Sequence, residues 1–307
     1  IDEVKAMELE PYADNTVIEP LIDPATKLKG SKVTNTVVNE SLGFTEWTLK
    51  NGIKVVVRPS TLKADEVSIN ATSKGGLSMV NDEEYYQGAF LGTVMSQSGI
   101  SKFSSTELNK QLAGKSAWAN AGVNAYEHSV VAGGSPKDIE TILQLIYLNF
   151  TAPRFDQTDL DNLKKMYIPY FTNMESDPSY IFGREFQKTL YGNNPRRQMT
   201  SKEHIAALNI PALKEIHSKL FSYADDFRFV IAGNVDLKTL KPLVEKYIGS
   251  IAKGKKADYA VVDDKVRLAE GVTTNDFRAV MQQPKVSVGM IYSGAMEDNA
   301  KNRLIVD

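Results

Sequence analysis

Phe44-Thr-Glu-Trp-Thr-Leu-Lys-Asn-Gly-Ile-Lys-Val-Val-Val-Arg-Pro59 is the stretch on which the fold turns. Either side of Asn51-Gly52 the residues alternate with period two, and Asn-Gly is the strongest short hairpin signal because both residues accept the positive φ of a tight turn. Two antiparallel strands are therefore expected. Downstream, strand patterns at 66–72, 116–125 and 127–132 alternate with helical ones. Residues 81–98 have helical length, with Asp82, Glu83 and Glu84 suited to the positive end of the helix dipole. Ser104-Ser-Thr-Glu107 reads as a capping box, and Ser135-Pro136 opens a helix whose Ile139, Ile142, Leu143, Ile146 and Phe150 recur at helical spacing.

A helix over 156–175 is expected to break or kink at Pro169, which lacks an amide donor. Asp177-Pro178 starts another helix, to Leu190, and Thr200 and Ile210-Pro211 begin two more. Residues 227–232 read as a buried strand, and Asp236 caps the helix that ends near Ile248. A new unit is expected from 273, with strands at 278–281 and 285–292 and a helix from Asn299. Hairpin-paired strands alternating with long helices make this an α+β fold, a mixed, largely antiparallel sheet covered by long helices. Residues 1–42, with Pro11, Pro20, Pro24 and Gly30, read as a linker or bridge, with a helical reading open at 1–9. Residues 43–265 form the domain, and 266–307 begin a second, similar one. The chain starts at Ile1 without methionine and stops at Asp307 inside a predicted helix, ends expected of an internal piece.

Composition narrows the function. The chain has 307 residues, 42% of them hydrophobic, and a net charge of −2. Near-neutrality argues against nucleic acid or an anionic membrane as the main partner. The basic groups at 253–256 and Arg196-Arg197 read as solvated loop charges. Without cysteine there is no disulfide framework and no thiolate chemistry. No apolar run nears the ~18–20 residues a membrane helix needs, so a soluble chain is expected.

The search for chemistry finds little. Of the three histidines, His128 follows Glu127 on a strand, where neighbours point to opposite faces, and reads as a surface or edge residue. His204 and His217 lie on separate helices without a companion ligand at i+3 or i+4. No Gly-x-Ser-x-Gly elbow marks a nucleophile. Gly75-Gly76 and Gly133-Gly134 lack the spacing of a phosphate loop and read as turns, as does Gly233-Asn234 after its strand.

A resemblance supplies more. Six segments occur in the order usual in the pitrilysin/insulysin family of inverted-motif zinc metallopeptidases, which they resemble: a strand ending in Ser73-Lys-Gly-Gly76, an acidic turn at Asn81-Asp-Glu-Glu84, the small-residue helix Gly88-Ala-Phe-Leu-Gly-Thr-Val-Met-Ser-Gln-Ser-Gly99, Leu112-Ala-Gly-Lys115, the run Ser135-Pro-Lys-Asp-Ile-Glu-Thr-Ile-Leu-Gln-Leu-Ile-Tyr-Leu148, and the run Asp226-Phe-Arg-Phe-Val-Ile-Ala-Gly-Asn-Val-Asp236. With the opening hairpin, the resemblance covers roughly 42–307 and is most similar to the second, non-catalytic half of the long single-chain bacterial members. Catalytic members carry His-x-x-Glu-His, in which two imidazoles one helical turn apart hold zinc and the glutamate takes a proton from zinc-bound water. Laid on this chain, that motif falls on Phe90, Leu91, Gly92, Thr93 and Val94. The later glutamate ligand, expected near Tyr167 to Phe171, meets Tyr-Ile-Pro-Tyr-Phe.

The resemblance therefore implies no catalytic, metal-binding or cofactor-binding residue in this segment, and zinc in the catalytic half of the parent protein. Phe90, Leu91 and Val94 are expected as buried helix residues. The implied function is that of a non-catalytic, substrate-enclosing portion of a zinc-dependent metalloendopeptidase acting on peptides. Its partners would be the peptide and a catalytic half, on the same chain or a partner subunit. Its implied location is periplasmic or otherwise exported, with the cytoplasm the other reading. A stand-alone structural or peptide-binding subunit that kept the fold and lost the activity is the alternative.

Overall fold

In a computed structural model of the chain, the described residues are 18–252 and 260–272, with 274, 276, 301 and 302. The helical reading at 1–9, the basic group at 253–256 and, those four positions apart, the unit expected from 273 lie outside the described residues.

The Asn-Gly hairpin forms as read, with β2 (Phe44–Leu49) antiparallel to β3 (Lys54–Pro59). Val33-Thr-Asn-Thr-Val-Val-Asn39 falls in the stretch expected to be linker. Rich in β-branched residues, it adds to the hairpin as strand β1 (Val33–Asn39). Strands β4 (Val67–Lys74), β5 (Ala117–Val123), β6 (Glu127–Gly134) and β7 (Arg228–Gly233) complete a seven-stranded sheet ordered β1-β2-β3-β7-β4-β6-β5. Only the β3–β7 pairing is parallel. Along β4, Val67, Ile69, Ala71 and Ser73 are buried and their neighbours are not, the period-two signature of a sheet covered on one face. The strand β7 shares it. Expected to be buried outright, it leaves Val230 38% exposed on the open face while Phe229 and Ile231 face the core.

Nine α-helices follow among the described residues: α1 (Asp82–Ala89), α2 (Leu91–Ser98), α3 (Ser105–Gln111), α4 (Ile139–Thr151), α5 (Gln157–Met174), α6 (Pro178–Leu190), α7 (Lys202–Ala207), α8 (Ile210–Phe221) and α9 (Leu237–Tyr247). Their starts are capped as the sequence suggests. Ser104 and Glu107 close a capping box, and Asp177 and Asp236 accept the first free amides of α6 and α9. The single helix expected over 81–98 is instead two, jointed at Phe90 (φ −95°, ψ −1°). Glycines on either side of the joint explain the bend. A Cβ at Gly88 would lie 2.5 Å from the Leu77 side chain, and one at Gly92 would lie 2.3 Å from the Ala121 carbonyl, so each half presses bare backbone against a different wall. Helix α5 runs unbroken through Pro169, which sits on its exposed side. Only the bond to the Lys165 carbonyl is lost there.

The arm before β1 is tied down. Leu21, 6% exposed, completes a small apolar cluster with Ile100, Phe103, Leu145 and Leu148. Further on, Gly30 N donates to Ser250 Oγ, Ser31 N to the Glu245 carbonyl and Val33 N to the Glu245 carboxylate.

Beneath the turn at 75–79 lie two residues that the sequence suggested were solvated. His128 is fully buried, its Nδ1 accepting the Gly76 amide at 3.3 Å and its ring edge-on to Phe221 and Phe227. Residue alternation was read correctly. The face was not, because β6 is an inner strand whose even-numbered residue 128 meets the helical layer. Arg196 is likewise buried and donates to the Leu77 and Val80 carbonyls and to Asp82. A short loop thus gains a planar, multidentate clamp.

Two outcomes follow. Leu91 is 0% exposed whereas Phe90 is half-buried at the joint. Leu91→Ala should therefore cost ~2–5 kcal/mol and Phe90→Ala less, about 2 kcal/mol; chemical denaturation that ranks them the other way would show the joint to be misplaced. Burial pushes the His128 imidazole down from 6.5 to about 4. A base whose folded pKa is depressed keeps its full stabilising effect above pH 6.5. As pH falls from 6.5 to 4 the unfolded chain takes up the proton first, so stability drops, by up to ~3 kcal/mol from this residue. Ring resonances of His128 that titrate near 6.5 in the folded protein would contradict this.

Candidate functional site

The two segments on which the inverted zinc motif and its later ligand were laid do meet. The α1–α2 joint carries Phe90, and the second half of α5 carries Tyr167 and Phe171. The Phe90 and Tyr167 rings lie 6.2 Å apart, edge to face at 81°. Tyr167 stacks towards Phe171 at 6.3 Å, and Tyr170 meets Phe171 edge-on at 5.2 Å. Aromatic quadrupoles favour such offset and T-shaped contacts. Four rings thus stand where the resemblance would place one of the two imidazoles and the later carboxylate.

The remaining motif positions diverge. Val94 N donates to the Phe90 carbonyl at 3.0 Å, so one helical turn still joins the two residues. Val94, however, is 1% exposed in the main core, while Phe90 is only half-buried, which corrects the expectation that Phe90, Leu91 and Val94 are alike interior residues. Thr93 is half-buried, with a hydroxyl that cannot supply the charge of a glutamate. Among the described residues, no three His, Asp or Glu side chains are grouped to hold a metal ion.

The histidines make other contacts, and two of them, His128 and His217, pack on the same ring, Phe221. His217 is buried and its Nε2 donates to the Asn149 carbonyl at 2.8 Å. His204 accepts the Ser201 amide on Nδ1 and stacks on Tyr86 at 3.6 Å. Burial lowers the pKa of both imidazoles. It also raises the Tyr86 phenol to about 12, while its hydroxyl donates to the Gln198 carbonyl at 2.6 Å. These are structural hydrogen bonds to backbone. The Gly75-Gly76 turn is steric in origin, since a Cβ on Gly76 would lie 2.3 Å from the Asn124 carbonyl.

Next to α2, a cavity of about 250 Å³ opens between α3, α4 and the end of β5, lined by Gly92, Met95, Ser96, Leu108, Trp118 and Asn149. No titratable group lines it. Elsewhere the sequence reading overlooked an exposed apolar stripe, Met166, Pro169 and Tyr170, on the solvent side of α5. Its signal was present: residues 166–174 carry no charge, and helical spacing sets Pro169 opposite Leu160, with Met166 and Tyr170 on the flank next to it.

Comparison with known proteins agrees with this fold. The family described as the peptidase M16 inactive domain matches residues 207–305. A zinc protease PQQL-like protein of Arabidopsis thaliana is 23% identical over 258 residues, covering 82% of this chain and 24% of the relative. The probable zinc protease PqqL of Escherichia coli is 26% identical over 209 residues, 68% of this chain and 22% of the relative. The crystal structure of E. coli PqqL, a periplasmic protease, superposes with a TM-score of 0.67 at 22% identity over 83% of this chain and 28% of that one. A mutant of the ferredoxin protease FusC in complex with Arabidopsis ferredoxin gives 0.66 at 19% identity, over 82% and 28%. The chain spans about a quarter of the length of the relatives it matches. No helix among the described residues is long and apolar enough to cross a membrane. In sequence the chain is similar to zinc proteases, its residues 207–305 match the peptidase M16 inactive domain, and its fold is that of a solved protease of the same group.

Proposed function

We propose that this chain is a non-catalytic, substrate-enclosing portion of a zinc-dependent metalloendopeptidase acting on peptides. The observation that carries this reading is the ring cluster at the α1–α2 joint. Phe90 and Tyr167 are in contact where a metal centre would need imidazole and carboxylate, and the phenyl ring of Phe90 has no atom with a lone pair to offer zinc. Zinc and general base then lie on the catalytic half, of the same chain or a partner subunit, which closes around the peptide with this portion as the opposite wall. The division into a bridge at 1–42, a domain at 43–265 and the start of a second at 266–307 belongs to the same proposal. So does a periplasmic or otherwise exported location, supported by the description of the E. coli relative as a periplasmic protease.

The isolated chain should hold no stoichiometric zinc after metal-free dialysis and should leave fluorogenic peptides uncut. Bound zinc together with chelator-sensitive cleavage would overturn the reading. A restoration experiment separates lost ligands from lost scaffold. Phe90→His, Thr93→Glu and Val94→His together restore the motif, yet Val94 faces the core and Tyr167 to Phe171 supply no acid. A working site also needs an open water position and hydrogen bonds that orient the rings. The triple variant should gain weak zinc affinity at most and no peptidase activity; efficient chelator-sensitive turnover would mean that the groups needed to orient the two imidazoles and supply a third ligand are already in place.

A further inference from the structure

The C-terminal half of α5 is unusual for a solvent-facing helix. Met166 is 57% and Tyr170 54% exposed, and Pro169 between them is exposed as well. No charged side chain occurs from 166 to 174, where a helix facing water ordinarily carries several. The stripe has a rigid floor, because Tyr170 rests edge-on against Phe171, which stacks towards Tyr167 and through it meets Phe90. Beside it lies a backbone acceptor. Pro169 has no N–H, so the carbonyl of Lys165 loses its α-helical donor on the exposed side of the helix.

We propose that Met166, Pro169 and Tyr170 form a docking stripe for one apolar side chain of an extended polypeptide, with a backbone N–H of that polypeptide donating to the Lys165 carbonyl. Size argues for this occupant. From 166 to 173 the helix rises about 10 Å, and at a helix width of about 10 Å the stripe offers on the order of 100–200 Å², far below the ~800 Å² per partner of a stable protein interface. A folded partner or a second copy would need much more. One side chain of an extended peptide needs no more, and its backbone brings the donor that the carbonyl lacks. Methionine beside aromatic rings suits varied apolar side chains, since the thioether adapts its shape and makes favourable sulfur–ring contacts. The inference rests on the enclosing-wall reading and names what that wall holds: an apolar side chain of the substrate.

Fluorescence anisotropy on the full chain tests it, with two short labelled Gly/Ser peptides that differ only in a central Phe or Ser. The Phe peptide should bind about tenfold more tightly than the Ser peptide, the fold-change expected from burying part of one aromatic side chain. In the double variant Met166→Ser with Tyr170→Ser, that preference should vanish while the thermal midpoint holds, because both residues are exposed. Equal binding of the two peptides, binding of neither, or a preference that survives the double variant would overturn the proposal. So would a dimer in sedimentation that the double variant abolishes, which would assign the stripe to a second copy. Failure of the enclosing-wall reading has its own readout, zinc uptake with chelator-sensitive cleavage by the wild-type chain, which neither substitution touches.

Discussion

Everything in this domain hangs on the insertion of β7 between β3 and β4. The strands β1, β2 and β3 are consecutive, and β4, β6 and β5 form a second antiparallel set, yet the two sets touch only through a strand that arrives at residue 228. One transverse row makes the dependence concrete. Trp47, Val55, Phe229, Ala71, Val130 and Ala121 are successive cross-strand partners on the covered face, and all are buried. A one-residue slip of β7 would turn Phe229 and Ile231 to solvent and bring Arg228 and Val230 under the helices, so burial alone specifies the register. The parallel β3–β7 pairing follows, since the chain from β3 to β7 must cross the sheet over its covered face, and most of the helices lie on that crossing.

That arrangement also explains the geometry around Phe90. Helix α2 approaches the sheet at β5, where Gly92 lies against the Ala121 carbonyl, and it presents Leu91, Val94 and Met95 to the core. Position 90 turns its ring to Tyr167 on α5. In a metal-binding relative of this scaffold, positions 90 and 94 would have to serve one ion. Here one has joined an aromatic surface and the other the core. Ring–ring contact and burial hold the α2–α5 junction together without the bonds a metal would supply. Packing alone therefore holds this junction in form.

Local chemistry was legible in the sequence wherever a short-range rule decided the outcome. Asn51-Gly52 announced the β2–β3 hairpin, Ser104 with Glu107 a capping box, and Asp177 and Asp236 two helix starts, because each depends on residues within one turn. The residue types at the positions aligned with the zinc motif were legible for the same reason: Phe90, Thr93 and Val94 are visible as letters. Readings that failed were those requiring knowledge of what lies above a residue. His128 and Arg196 look like surface residues, and only packing puts the one beneath Phe221 and Phe227 and the other under the 77–80 carbonyls. Pro169 looked like a break, and the helix tolerates it because the proline faces water.

Sequence by itself therefore determined the alternation of strands and helices, their caps and turns, and the absence of ligating side chains at 90, 93 and 94, since these rest on covalent chemistry and contacts between near neighbours. Tertiary structure decided the place of β7 at the centre of the sheet, the joint at Phe90, the addition of β1 to the edge and the meeting of Phe90 with Tyr167. Each of those depends on which distant surfaces are buried together, and that is a property of the whole chain's packing that no local pattern encodes.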